Sequence, residues 1–130
     1  DARQTATWWD GRPFDAILLD APCSAAGIVR RHPDVRWLRR PDDIRALAQT
    51  QTELMDALWP LLKPGGRLLY ATCSIFRAEG QAQADAFLQR QSDAQPLPLG
   101  PLGGHLLPVA DNDRPAFDGF FYAHFLKRPP

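Results

Sequence analysis

The segment FDAILLDAPCS, at residues 14–24, decides the fold class. Its first six residues, 14–19, form a short apolar run, which is typical of a strand buried in a sheet. The run ends at Asp20, and a loop that contains Cys23 follows it. The pattern predicts a buried strand whose carboxyl end presents an aspartate and then a thiol.

The rest of the chain alternates helical and strand patterns around this segment. Apolar residues at helical spacing predict a helix over residues 41–62, which stops at the sequence KPGG. A second strand, RLLYA at 67–71, leads into Cys73. We further predict a helix over 78–90, a loop over 92–104, and two closing strands, HLLPVA at 105–110 and GFFYAHFL at 119–126. This order predicts an α/β fold with parallel strands and an antiparallel closing pair.

Both cysteines follow the carboxyl end of a predicted strand. Ligands of open α/β sheets bind at these ends, and strands joined by one crossover are usually neighbours. We therefore expect Cys23 and Cys73 to face one cleft. A free cysteine is most often a small buried hydrophobe. Here each cysteine lies in a loop and is followed by serine, which favours a reactive thiol instead.

Composition limits the classes of protein that remain. Hydrophobic residues make up 45% of the 130 residues and charged residues 23%, which is typical of one globular domain. No apolar run approaches the roughly 20 residues of a membrane span, and the first residues do not resemble a signal peptide. Two cysteines and three histidines form no zinc motif, so we predict no metal site. Free thiols favour the cytoplasm.

The charge pattern gives a weaker indication of a nucleic acid. The formal net charge is zero, so bulk charge does not indicate an RNA-binding protein. Six arginines nevertheless lie within residues 30–45, and arginine suits bidentate phosphate contacts. A solvated surface explains any single one of these arginines equally well.

Two thiols and a carboxylate allow more than one chemistry. A thiolate can add to carbon 6 of cytosine, which makes carbon 5 able to accept a methyl group. A thiol–disulfide or sulfur-transfer protein would also use two cysteines, although the sequence has no C-x-x-C motif. The residues alone leave these alternatives open.

Two motifs resemble those of a known family. DAPCSAAGIVRRHPD at 20–34 and YATCS at 70–74, joined by LLKPGGRLL, are similar to the RNA (cytosine-5) methyltransferase family. Within it the chain resembles the bacterial ribosomal RNA branch of the Sun, Fmu or RsmB type. The resemblance covers nearly the whole chain and extends to DGFFYAHFLKR near its end. It implies the C-terminal half of a Rossmann-like class I methyltransferase sheet.

The resemblance implies roles for individual residues. Cys73, in the TC motif, is the nucleophile that forms a covalent intermediate with cytosine, and Cys23, in the PC motif, helps to release the 5-methylcytosine product. Asp20 lies near the target base and the methionine end of S-adenosyl-L-methionine, and Asp1 matches an acid on the adenine side. The resemblance also implies a set of residues that contact the ribosomal RNA substrate. These residues are Asp20, Ser24, Arg30, Arg31, His32 and Arg36.

Two departures from the family pattern stand out. Ala25 and Ala26 occupy positions where the family often has Gly-Thr, and because alanine disfavours positive φ we expect a slightly different loop. The glycine-rich loop that cradles the cofactor in this fold is not found in the sequence. We therefore interpret residues 1–130 as part of a catalytic domain, without the upstream cofactor-binding half and an N-terminal RNA-binding domain.

An incomplete cofactor site has consequences for the chain by itself. We expect these residues alone to bind S-adenosyl-L-methionine weakly and to be inactive. The alternative is a non-catalytic module made of half a fold. Half of such a sheet would expose a strand edge, through which the chain could self-associate.

Overall fold

The computed structural model describes residues 1–29, 31–33, 40–108 and 118–130. The two α-helices are α1 (Pro41–Leu58) and α2 (Gln81–Arg90). The strands are β1 (Phe14–Asp20), β2 (Leu62–Thr72), β3 (Ala94–Leu97), β4 (Gly104–Leu106) and β5 (Phe120–Lys127). Short 3-10 helices lie at Thr5–Thr7, Ala26–Ile28, Trp59–Leu61, Arg77–Glu79 and Gly100–Leu102.

The strands form one mixed sheet in the order β1-β2-β5-β3, and β4 also pairs with β5. β1 and β2 are parallel, with Asp20 opposite Ala71, and α1 connects them. β5 runs antiparallel to β2, β3 and β4. The predicted α/β class, with a parallel unit followed by antiparallel closing strands, is confirmed.

Several element boundaries, and one additional strand, differ from the predictions. α1 ends at Leu58, because Pro60 lies in a separate 3-10 turn. β2 begins earlier than predicted, and its register with β1 shifts where Gly65 adopts a φ of +82°. β3 forms within the predicted loop 92–104, and it tolerates Pro96 because it is paired only with β5 in the described part of the chain. α2 starts at Gln81 because a 3-10 turn precedes it.

The two faces of the sheet are covered differently. Residues that alternate along the strands pack against α1 and α2, and these include Tyr70 and Phe125, which are almost fully buried. Phe87 of α2 lies 4.9 Å from the ring of Phe125, centroid to centroid. The opposite face is more open, and 67% of Leu18 is exposed there. The hydrophobic core therefore lies between the sheet and its two helices.

β1 forms one edge of the sheet. Among the described residues β1 pairs only with β2, and most of its side chains are exposed. Self-association through this edge stays a prediction. Within the same residues, no helix has the length and apolar character needed to cross a membrane.

Candidate active site

The two cysteines lie side by side at the carboxyl ends of β1 and β2. Residues 21–29, the first thiol loop, follow β1, and residues 73–76, the second thiol loop, follow β2. The backbone N–H of Ala21 donates to the carbonyl of Ala71 at 2.9 Å, which continues the parallel register past the strand end. The Sγ atoms of Cys23 and Cys73 are 3.3 Å apart. The expected convergence of the two thiols is confirmed.

The thiols affect each other's ionisation in opposite directions. The hydrogen bond from Cys73 lowers the pKa of Cys23 to about 7, against the effect of burial, and the backbone N–H of Ala25 assists. The same hydrogen bond, followed by burial and by repulsion from a charged Cys23, raises the pKa of Cys73 well above its usual range. Above about pH 7 the pair therefore shares one proton, and its negative charge rests mainly on Cys23.

A buried carboxylate lies beneath the two loops. Glu79 is fully buried at the end of a 3-10 helix. Its Oε2 accepts hydrogen bonds from the hydroxyls of Ser24, at 2.6 Å, and Ser74. Its Oε1 accepts from the backbone N–H of Ser24 at 2.8 Å and from Nε2 of Gln51 at 3.3 Å. The residue after each cysteine is thus tied to one carboxylate.

A close backbone approach joins the first thiol loop to its surroundings. The N–H of Gly27 donates to the carbonyl of Cys73 at 2.8 Å, and the N–H of Gly119 donates to the carbonyl of Gly27 at 2.6 Å. A Cβ atom on Gly27 would lie 1.9 Å from the carbonyl oxygen of Gly119. Only glycine fits this position without a shift of the backbone.

A cavity of about 270 Å³ opens next to Cys73 on the less covered face of the sheet. Asp20 contributes an exposed carboxylate to it. Phe120 and Tyr122, which alternate along β5, contribute two aromatic rings whose planes differ by 21°. The full lining consists of Leu18, Asp20, Ala71, Thr72, Cys73, Phe120 and Tyr122. The cavity therefore offers a thiol, a carboxylate and flat apolar surfaces to one ligand.

The other predicted site residues lie around this centre. Asp1 does not line the cavity, and its carboxylate instead pairs with Arg3 at 2.6 Å. Ser24 is fully buried above Glu79, so its side chain offers no surface to RNA, contrary to what we expected. Arg31 is exposed and pairs with Asp118 at 2.5 Å.

His32, the next residue along the chain, is also exposed, whereas Arg30 and Arg36 lie outside the described residues. The two described side chains, Arg31 and His32, are therefore available at the surface near the first thiol loop. Among the residues that the structure describes, no group of three or more histidine, cysteine or acidic side chains could hold a metal ion.

Sequence reasoning missed Glu79, Gly27 and the aromatic pair on β5. The serine that follows each cysteine was the available signal for Glu79, because two buried hydroxyls need an acceptor. Phe120 and Tyr122 are two residues apart in a predicted strand, and side chains at this spacing lie on the same face of a sheet. Nothing in the local sequence indicated the close approach at Gly27.

Comparison with known proteins gives consistent matches. The family model for the 16S rRNA methyltransferase RsmB/F matches residues 1–126. Ribosomal RNA small subunit methyltransferase B of Xanthomonas campestris pv. campestris is 56% identical over 130 residues, which cover 98% of this chain. The chain spans only 30% of the length of that relative.

Two solved structures share the fold. The crystal structure of PH0851 superimposes with a TM-score of 0.85 at 35% identity, over 96% of this chain and 29% of that one. NSun6 from Pyrococcus horikoshii, crystallised with SFG, gives a TM-score of 0.80 at 26% identity, over 100% of this chain and 34% of that one.

Proposed function

The chain belongs to the 16S rRNA methyltransferase RsmB/F family, and from this premise we propose that it forms 5-methylcytosine in ribosomal RNA with S-adenosyl-L-methionine as methyl donor. The observation that carries the proposal is the pair of thiols at 3.3 Å, beside a cavity that also holds Asp20. Methylation at carbon 5 of cytosine needs a nucleophile that adds to the ring and later leaves. Two adjacent thiols can exchange the proton that addition removes from the nucleophile and that departure returns to it.

The cavity fits one end of the methyl donor. S-adenosyl-L-methionine carries a cationic sulfonium and an ammonium group, and when bound it supplies an electrophilic methyl group. Asp20 places an exposed carboxylate in the cavity beside Cys73, so it would contact the methionine end and the base. Asp1 would face the adenine side. In support, the related NSun6 structure contains SFG, an analogue of this donor.

Cys73 performs the first covalent step in our proposal. Its sulfur, as thiolate, adds to carbon 6 of cytosine, and the electron pair of the carbon 5–carbon 6 double bond becomes available at carbon 5. The proton of Cys73 passes to Cys23, whose thiolate lies 3.3 Å away. With a donor bound, carbon 5 would take the methyl group, and the methyl–sulfur bond would break with its electrons on the sulfur of the donor.

Cys23 assists the departure of Cys73. Loss of the carbon 5 proton to a base restores the double bond, and the carbon 6–sulfur bond breaks with its electrons on Cys73. Cys23, with a pKa of about 7, returns the proton to the departing sulfur. The high pKa of Cys73 favours this transfer.

The surrounding residues bind RNA. The rings of Phe120 and Tyr122 offer a surface on which an unstacked base can stack. Exposed Arg31 and His32 follow the first thiol loop in the sequence, and with Arg30 and Arg36 we propose that they contact the phosphate backbone. Such an enzyme would act in the cytoplasm.

Single replacements of the two cysteines test the proposal. The experiment uses the longest natural form of the protein that contains these residues, with small-subunit rRNA and the methyl donor. Cys73→Ala should abolish methyl transfer, because no nucleophile remains. Cys23→Ala should accumulate a covalent protein–RNA adduct, seen as a retarded band in a denaturing gel. Addition continues in this variant because the pKa of Cys73 falls when its hydrogen bond with Cys23 is lost, while departure is slowed.

The double variant Cys23→Ala/Cys73→Ala is the matched control, and it should form no adduct. An adduct with Cys73→Ala in place of Cys23→Ala would reverse the two roles. Full methyl transfer by Cys73→Ala would disprove covalent catalysis by this pair.

A further inference from the structure

Among the residues that the structure describes, no cation lies beside the buried carboxylate of Glu79. Its side chain is 0% exposed, and among the described residues it takes part in no ion pair within 4.0 Å. Its described partners are N–H and O–H groups of Ser24, Ser74 and Gln51. Burial of a charge is costly unless hydrogen bonds compensate for it, and bonds to a charged acceptor are the strong ones.

The two serines form the same local turn in both loops. In the first thiol loop the N–H of Ala26 donates to the hydroxyl of Ser24 at 3.3 Å. In the second thiol loop the N–H of Phe76 donates to the hydroxyl of Ser74 at 3.1 Å. Each hydroxyl accepts from its own loop and donates to Glu79. One carboxylate therefore binds the serine of both turns, and a cysteine directly precedes each serine.

Glu79 is itself held on two other sides. The hydroxyl of Tyr70, on β2, donates to the backbone carbonyl of Glu79 at 2.7 Å. Gln51, on α1, donates from Nε2 both to Glu79 and to the carbonyl of Pro22, the latter at 2.9 Å. A buried network of this kind rigidifies the groups that it joins.

We propose that Glu79 is a positioning residue that fixes the distance between Cys23 and Cys73 by binding the serine that follows each of them. It acts through Ser24 and Ser74 and does not touch the reacting atoms. The proposal rests on the proposed function for its catalytic consequence. The structural consequence, a fixed separation of the two sulfurs, is independent of that function.

The first experiment measures the separation of the thiols without any substrate. Diamide oxidises two neighbouring thiols to a disulfide and is itself reduced to the hydrazine, so the rate of crosslinking reports their proximity. Glu79→Ala should slow formation of the Cys23–Cys73 disulfide by about tenfold or more, since loss of positioning over about 1 Å has effects of this size on reactions between held groups. Glu79→Gln should fall between this variant and the wild type, because the amide keeps the shape and its oxygen still accepts.

Asp85→Asn is the matched control, because Asp85 is an exposed carboxylate on α2 that lies outside the network. It should leave the crosslinking rate unchanged. Should Glu79→Ala fail to fold, Ser74→Ala replaces it: this variant frees only the second loop while Glu79 keeps Ser24 and Gln51 as partners. It should slow crosslinking by several-fold.

The second experiment measures methyl transfer in the same variants. Glu79→Ala should lower kcat by at least about tenfold and leave the KM for RNA within about twofold, because Glu79 does not line the cavity. Glu79→Gln should recover part of kcat. Thermal unfolding of each variant confirms that the protein is folded at the assay temperature.

The two experiments separate the two proposals. Slower crosslinking in a protein that methylates no RNA would support the positioning of the thiols and disprove the proposed function. Unchanged crosslinking in folded Glu79→Ala and Glu79→Gln would overturn the positioning role, whatever the methyl-transfer result. A kcat that follows only the loss of thermal stability, without recovery in Glu79→Gln, would also overturn it.

Discussion

The two thiol loops are alike in their local chemistry but differ in their support. Each places a cysteine after a parallel strand, follows it with a serine that donates to Glu79, and closes a turn on that serine. The second thiol loop, 73–76, is short and leads directly into the 3-10 helix that carries Glu79. The first, 21–29, is longer and depends on contacts with other segments.

These outside contacts are specific. Gly27 binds the carbonyl of Cys73 and the N–H of Gly119, and Ala25 adopts a left-handed backbone conformation at φ +60°. The position of Cys73 thus follows from its own strand and turn, whereas the position of Cys23 depends on the second loop and the start of β5. Changes in the first thiol loop should therefore displace Cys23 and leave Cys73 in place.

The largest expected effect comes from Gly27→Ala. The new Cβ would lie 1.9 Å from the oxygen of Gly119 and 2.8 Å from that of Cys73, both backbone atoms. The loop must move away, so we expect a loss of about 3 kcal/mol in the free energy of unfolding and a Tm lower by roughly 10 °C. Calorimetry measures the Tm, and the diamide crosslinking rate should fall as well.

Gly103→Ala is the control for this change. The nearest atom to its new Cβ is Cβ of Leu99 at 3.3 Å, so only a small adjustment is needed. Its Tm should stay within about 3 °C of the wild type. Equal losses in the two variants would mean that the contact at Gly27 has no special importance.

A smaller effect is expected on the pKa of each thiol when the other thiol is removed. The Cys23 thiolate is populated above pH 7 because the hydrogen bond from Cys73 lowers its pKa. In Cys73→Ala this largest cause is lost, so the pKa of Cys23 should rise toward its ordinary value near 8.5, and alkylation at pH 7.5 should slow by roughly fivefold to tenfold. Iodoacetamide labelling at a series of pH values, followed by mass spectrometry, gives the pH midpoint of alkylation, which reports the pKa of the thiol.

The reciprocal variant should shift the other way. Cys23→Ala removes the largest cause that raises the pKa of Cys73, so the Cys73 thiolate should form at lower pH than in the wild type. Labelling at pH 10 is the internal control, because a thiol of ordinary pKa near 8.5 is then largely ionised. Midpoints that move in the same direction in both variants would contradict a shared proton.

The sequence predicted most of the fold and the meeting of the two thiols. Hydrophobic patterning is local, so it indicated β1, the centre of β2 and α1, and the short parallel connection implied that Cys23 and Cys73 are neighbours. β3 was missed because Pro96 argues against a strand, and only the pairing with β5 at an edge makes it acceptable.

The hydrogen bonds of Glu79 beneath the two thiol loops could not be predicted from the sequence, for a physical reason. Glu79 is joined to Ser24 across 55 residues and to Gln51 across 28, and such long-range contacts leave no periodic pattern. Asp20, Cys23 and Cys73 could be found because they follow the ends of predicted strands, and the family resemblance implied their roles, which stay predictions until the variants are tested.

The smallest effect concerns the strain stored in the first thiol loop. We expected Ala25 to alter this loop because alanine disfavours positive φ, yet Ala25 lies at φ +60° and ψ 26°. The left-handed conformation costs alanine roughly 1–2 kcal/mol, and glycine avoids that cost but has more freedom to lose on folding. Ala25→Gly should therefore raise the free energy of unfolding by about 0.5–1 kcal/mol. Its N–H, which helps to lower the pKa of Cys23, is retained.

Ala26→Gly is the matched control, because Ala26 begins a 3-10 helix and glycine there should destabilise the protein by up to about 1 kcal/mol. Chemical denaturation measures both changes. Opposite signs at adjacent alanines would show that the first thiol loop holds Cys23 against backbone strain, whereas destabilisation by both would show that the loop is unstrained and that the difference between the two loops lies in Gly27 alone.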